Sequence, residues 1–219
     1  MVRVGVTGAD GFIGSYTCER LEQLGLHAVR LVRRPEGPGK ERRVVGDLVS
    51  GVDLAKSLRG VDALIHLAGR AHVLSETESD PIAAFRRVNV VGTESLAKAA
   101  LAAGVRRFVF VSSIGVNGDR TEDRGFSESD VPRPTEPYAV SKLEAEQLLR
   151  NEYASRFELV IVRPPLVYGP GAVGNFRRLV RLAASGLPLP LGAIRNARSL
   201  IGVENLADFL CLCVTHPKA

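Results

Sequence analysis

The sequence has 219 residues, 45% of them hydrophobic and 24% charged, and a formal net charge of +5. This length and balance suit one large domain, or one domain with a small appendage, and exclude wholesale disorder. The positive balance fits an anionic ligand, or simply a basic surface.

No apolar run approaches the roughly 20 residues of a membrane span. The sequence enters a strand almost at once, so no secretion signal is expected. Cys18, Cys211 and Cys213 are an odd three without zinc-ligand spacing. They predict buried thiols in a reducing, cytoplasmic compartment, and no metal site.

Strands and helices alternate along the chain. Residues 2–7 form a β-branched strand, and Phe12 to Leu24 a helix closed by Gly25. A second strand runs from His27 to Val32 and a short third from Arg43 to Gly46. Asp53 to Arg59 predicts a short helix. Val61 to Leu67 is nearly all apolar, as in a strand buried on both faces. One long helix is expected from Pro81 to Ala103, ended by Gly104. Arg107 to Ser112 is a fifth strand, followed by a long polar loop to Pro137. Tyr138 to Ala154 predicts a helix and Glu158 to Arg163 a sixth strand. This alternation predicts an α/β fold, a Rossmann-like doubly wound parallel sheet with right-handed crossovers.

After Pro164 the pattern breaks at Pro164-Pro165, Gly169-Pro170-Gly171 and Pro188-Leu189-Pro190. Helices are still expected at 175–185 and 204–214. The sequence therefore divides into residues 1–163, a dinucleotide-binding domain, and 164–219, a small substrate-binding part.

Thr7-Gly8-Ala9-Asp10-Gly11-Phe12-Ile13-Gly14 follows a strand and opens a helix, the context a dinucleotide fingerprint requires. Gly8 permits the tight turn, Gly11 lets backbone approach phosphate, and Gly14 lets helix pack on strand. The helix N-terminus then offers free N–H groups to a pyrophosphate. An acidic residue about 20 positions on ordinarily binds the ribose 2′-hydroxyl of NAD. Here the second strand ends Leu31-Val32-Arg33-Arg34, and the first acid is Glu36. An arginine there pairs with a 2′-phosphate, so Arg33 points to NADP, with NAD the alternative.

Tyr138 and Lys142 stand four apart on one helical face. An ammonium beside a phenol lowers its pKa, and the pair can then serve as general acid or base on a carbinol or carbonyl. The fifth strand ends Val111-Ser112-Ser113, where a serine hydroxyl can bond a substrate oxygen.

These motifs, taken in order, resemble the extended short-chain dehydrogenase/reductase family and its NAD-dependent epimerase/dehydratase group. That group includes nucleotide-sugar epimerases, dehydratases and 4-ketoreductases. The matching stretches are Thr7 to Gly14, Asp47-Leu48, His66-Leu67-Ala68-Gly69, Asn89 to Thr93, Val111-Ser112-Ser113, Pro137 to Lys142, and Arg163-Pro164 to Pro170. The resemblance implies cofactor contacts from Gly8, Asp10, Gly11, Phe12, Ile13, Gly14, Arg33, Asp47, Leu48, Leu67, Ala68, Gly69, Val111, Pro164 and Val167, with Asn89 supporting the site. Asp47 and Leu48 would meet the adenine. Tyr138 would be the acid/base, Lys142 would also hold the nicotinamide ribose, and Ser113 would complete the set. Asn175, Phe176 and Arg198 would grip the diphosphate of a UDP-sugar, and the stretch 187–192 would border its base. Family members are commonly homodimers, here through the 81–103 and 138–154 helices.

Two positions depart from the family pattern. Asn117 stands where relatives often carry tyrosine, and Leu166 where many epimerases carry asparagine. Both point away from plain UDP-galactose 4-epimerisation, and the runs Ser112 to Gly118 and Arg163 to Gly169 resemble a subgroup of surface polysaccharide synthesis that includes reductases of UDP-4-keto-6-deoxy-N-acetylhexosamines. Family members also continue well past this C-terminus, so 164–219 is expected to be a truncated sugar-binding part. The expected function is NAD(P)-dependent chemistry at C4 of a UDP-sugar. The alternatives are a non-catalytic cofactor sensor or scaffold on the same fold, and a reductase of a non-sugar ketone. Scattered basic residues without an aromatic platform do not suggest nucleic-acid binding.

Overall fold

The computed structural model describes residues 1–49, 53–71, 80–122, 124–172, 175–186 and 196–219, with the backbone alone for 175–179. Strands β1 (Arg3–Thr7), β2 (His27–Val32), β3 (Arg42–Val44), β4 (Ala63–His66), β5 (Arg107–Val111) and β6 (Glu158–Val162) form one sheet. Every pairing in it is parallel, in the order β3-β2-β1-β4-β5-β6. This is the doubly wound order, and its direction reverses between β1 and β4. The expected fold is thus the observed one.

Side-chain alternation along the strands builds two cores. Val4, Val6, Ile65 and Val109 face α1 (Phe12–Gln23) and α7 (Val203–Thr215), meeting Cys18, Leu21, Leu206 and Leu210. Leu31, Leu64, Phe108 and Phe110 face the other way. They pack on α2 (Leu54–Ser57), α4 (Gly92–Ala102) and α5 (Pro137–Tyr153) through Leu54, Leu96, Ala100, Ala145 and Leu149. All three cysteines are free and buried, and burial pushes the thiols of Cys18 and Cys211 up to about 12.

The C-terminal segment returns to the sheet. The guanidinium of Arg107, on β5, donates to the carbonyls of Cys213, Val214 and His216. It satisfies carbonyls that the end of α7 would otherwise leave open.

Two expectations about elements need correction. The single helix over 81–103 is three pieces: α3 (Pro81–Arg86), a π-helical turn (Arg87–Val91) and α4. The wider turn carries Asn89, whose buried amide is bonded on every side, and such turns commonly mark functional positions. Beyond β6, two three-residue strands that the sequence did not announce, β7 (Leu166–Tyr168) and β8 (Leu200–Gly202), pair in parallel. Helix α6 (Asn175–Ala184) lies between them in the chain.

Candidate functional site

In an open α/β sheet the crevice opens at the C-terminal strand ends where the order reverses. Here β1 runs into the glycine turn, and β4 beside it runs into Leu67-Ala68-Gly69. Gly8 has φ +67°, and a Cβ there would stand 3.0 Å from the Ala68 nitrogen. The Gly11 N–H donates to the Gly8 carbonyl at 2.9 Å. A Cβ on Gly14 would lie 2.1 Å from the Gly8 oxygen and 2.8 Å from the Ala9 Cα. The tight turn expected of Gly8 and the close helix packing expected of Gly14 are both present. No side chain caps α1 at Gly11, so the N–H groups of its first turn, Phe12, Ile13 and Gly14, are left for a ligand. This cradle fits the pyrophosphate of a dinucleotide.

The remaining candidates distribute as follows. Val111 is buried at the end of β5 and Leu67 is half-buried after β4. Gly69 approaches Asn89, whose Oδ1 would be 3.0 Å from a Cβ there. Leu48 packs on the second core beside Gly92. Asp47 is exposed and accepts from the Val49 N–H at 3.3 Å. The carbonyl of Pro164 accepts from the Ile114 N–H, and Val167 leans on the first core. Arg33 is exposed just past β2, and Arg198 is exposed just before β8. Asn175 and Phe176 open α6, and their side chains lie outside the described residues, as does the 187–192 stretch. Both carboxylate oxygens of Asp10 accept from Arg42, at 2.7 and 2.8 Å.

Ser113 Oγ accepts from the Gly115 N–H at 3.2 Å, which leaves its own proton to donate. Ser112 Oγ is buried without a partner among the described residues. Tyr138 packs its ring edge-on against Phe85, centroids 6.1 Å apart. Lys142 is buried, with its Nζ 4.0 Å from the centre of the Phe110 ring.

Burial pushes Tyr138 up to about 12. Burial also draws Lys142 down to about 7, against the opposing pull of Glu146. The expected lowering of the phenol by Lys142 is therefore not what this structure holds. Low dielectric penalises both charged forms. At neutral pH the phenol keeps its proton.

Sequence reasoning missed the polar chain beneath the site. Thr93 Oγ1 donates to the Asn89 carbonyl at 2.6 Å, so it can only accept from His66 Nε2, at 3.0 Å. His66 Nδ1 then accepts from Thr7 Oγ1 at 2.7 Å, and Thr7 Oγ1 in turn accepts from the Leu67 and Ala68 N–H groups. Every proton is assigned and the chain has one direction. Asn89 Nδ2 continues to Ser141 Oγ at 2.9 Å, and Ser141 Oγ donates to the Tyr138 carbonyl. The glycine-turn strand, the loop after β4 and the start of α5 are thereby tied together.

His66 is wholly buried, and burial, helped by the charge of Lys142, draws it down to about 3. Imidazole nitrogen NMR should show His66 protonated on Nε2 alone, unchanged from pH 8 to pH 5. A proton on Nδ1 in that range would refute the assignment. The signal available in the sequence was the pairing of Thr7 with His66 at the ends of adjacent strands.

The sequence model of the NAD dependent epimerase/dehydratase family matches residues 4–219. The chain belongs to this family. It is 41% identical over 222 residues to a UDP-glucose 4-epimerase of Vibrio cholerae, covering 98% of this chain and 67% of that one. Two other curated relatives are spanned over 58% and 51% of their length. Among solved structures, MoeE5 in complex with UDP-glucuronic acid and NAD is 34% identical, with a TM-score of 0.78 over 96% of this chain and 71% of that one. A UDP-N-acetylglucosamine 4-epimerase from Bacillus cereus is 26% identical, with a TM-score of 0.81 over 100% of this chain and 73% of that one. The resemblance drawn from the motifs is therefore correct. No helix among the described residues is long and apolar enough to cross a membrane.

Proposed function

We propose that this protein carries out NAD(P)-dependent oxidation and reduction at C4 of a UDP-sugar, with 4-epimerisation of a UDP-hexose as the leading reaction. The observation that carries the reading is the junction at the switch point. The glycine turn, Ala68-Gly69 and Ser112-Ser113 follow three adjacent strands, and α5 brings Tyr138 and Lys142 on a hydrogen-bonded support. A bound nicotinamide supplies hydride acceptance and return.

Tyr138 Oη exchanges the proton of the sugar O4, and Ser113 Oγ donates to the same oxygen. Lys142, poised near neutrality, supplies positive charge when Tyr138 must release its proton. Residues 1–163 form the nucleotide part, and 164–219 contribute Asn175, Phe176 and Arg198 to the sugar-nucleotide side. The Vibrio relative's activity supports epimerisation, and the solved relatives' NAD supports that cofactor.

Arg33, Arg34 and Asn117 favour a second reading, an NADPH-dependent 4-ketoreductase of polysaccharide synthesis. The proposed setting is a cytoplasmic homodimer.

The deciding assay supplies UDP-glucose with NAD, and separately a 4-keto sugar nucleotide with NADPH. Interconversion of UDP-hexoses without net cofactor change supports epimerisation. Stoichiometric loss of NADPH replaces it with reduction. Cofactor binding with neither turnover favours a sensor.

A further inference from the structure

Arg42 lies at the start of β3, far in sequence from the glycine turn, yet it is the centre of the β2–β3 loop. Its Nε donates to the Pro35 carbonyl at 2.9 Å. Its Nη1 donates to Asp10 Oδ1 and to the Pro38 carbonyl, and its Nη2 to Asp10 Oδ2 and to the carbonyls of Glu36 and Arg34. A guanidinium has five N–H groups, and all five are engaged. The loop wraps this closely because Gly37 and Gly39 take φ of +127° and +110°. A Cβ on Gly37 would stand 2.9 Å from the Arg42 nitrogens.

The two partners differ in access. The Arg42 side chain is 9% exposed and that of Asp10 is 47% exposed. A ligand at this edge therefore meets the carboxylate, while the guanidinium is spent beneath it. The edge matters because the end of β2 is where a Rossmann fold distinguishes a ribose 2′-hydroxyl from a 2′-phosphate. The exposed cations that begin this loop are Arg33 and Arg34.

We propose that the Arg42–Asp10 pair sets the cofactor preference, with Asp10 cancelling Arg42 so that a 2′-phosphate gains nothing from it. The inference rests on the reading that the Gly8–Gly14 turn holds a dinucleotide. Removing the charge of Asp10 uncovers a cation for the 2′-phosphate. Removing Arg42 uncovers a carboxylate that repels a 2′-phosphate and accepts from a 2′-hydroxyl. The two substitutions act in opposite directions, which a merely structural role does not.

The test titrates NADH and NADPH, by nucleotide fluorescence, into wild type, Asp10→Asn, Arg42→Gln and Arg42→Lys. In Asp10→Asn the preference for NADPH over NADH should rise roughly tenfold or more, the size of one charge-assisted hydrogen bond. In Arg42→Gln it should fall by a similar factor. Arg42→Lys keeps the charge but loses the carbonyls, so both cofactors should weaken with the ratio unmoved. Should Arg42→Gln not fold, Asp10→Asn decides alone.

Equal effects on both cofactors, or ratios moving in one direction, overturn the proposal. If wild type binds neither cofactor, the dinucleotide reading falls with it. If it binds them and the ratio stays unmoved, the role of the pair falls alone.

Discussion

Tyr138→Phe should lower turnover by about 10²–10⁴-fold, the usual worth of a positioned acid or base. Cofactor affinity should stay within a few-fold. The substitution removes one oxygen and keeps the ring that packs on Phe85. The backbone carbonyl of Tyr138, which Ser141 holds, is untouched. What disappears is the hydroxyl that keeps its proton at neutral pH.

That protonation state has a consequence for direction. Taking a proton from a sugar alcohol requires the phenol to ionise first, whereas giving one to a ketone does not. Ionisation is easiest while Lys142 is charged, and Lys142 loses its charge as the pH rises through about 7. The check is steady-state turnover of the UDP-hexose reaction beside nucleotide titration of the same preparation. Full turnover in Tyr138→Phe would remove the hydroxyl from the mechanism. Lost binding would show instead that the side chain holds the cofactor in place.

Local signals in this chain were legible and distant ones were not. The glycine turn, β2 and the tyrosine–lysine helix are written in short windows, where glycine spacing, β-branched runs and a Pro at the helix start decide the outcome. The break in the 81–103 helix was hidden because both of its parts carry ordinary helical residues. Only the burial of Asn89 against Arg70 and Ser141 shows why the turn widens. Strands β7 and β8 were hidden because three residues are too few to show a period.

The electrostatics were harder still. Lys142 is shifted by burial where it lies over the Phe110 ring, and Asp10 by Arg42, partners about 30 residues apart that only the fold brings together. Asn117, conspicuous in sequence as a departure, is a buried brace between Arg163 Nη1 and the Ser127 carbonyl.

Arg163→Met should destabilise the fold by about 3–5 kcal/mol, because it strands a buried carboxylate. Arg163 Nε and Nη2 donate to the two oxygens of Glu146, at 2.9 and 2.5 Å, and Glu146 is almost wholly buried. Glu146 sits one helical turn past Lys142 and pulls its pKa upward. With Arg163 gone, the carboxylate acts on Lys142 undivided, so the lysine should titrate above about 7. Glu146→Gln removes that pull, and the lysine should titrate lower than in wild type. The stability change is read by denaturant unfolding and the titration by NMR of the Lys142 side chain. The double variant Arg163→Met/Glu146→Leu removes both charges, so it should recover most of the lost stability. Failure to recover would mean that Arg163 stabilises the fold mainly through Asn117 and the loop beyond it. Opposite shifts of Lys142 in the two single variants would make the buried pair the element that sets its charge one helical turn from Tyr138.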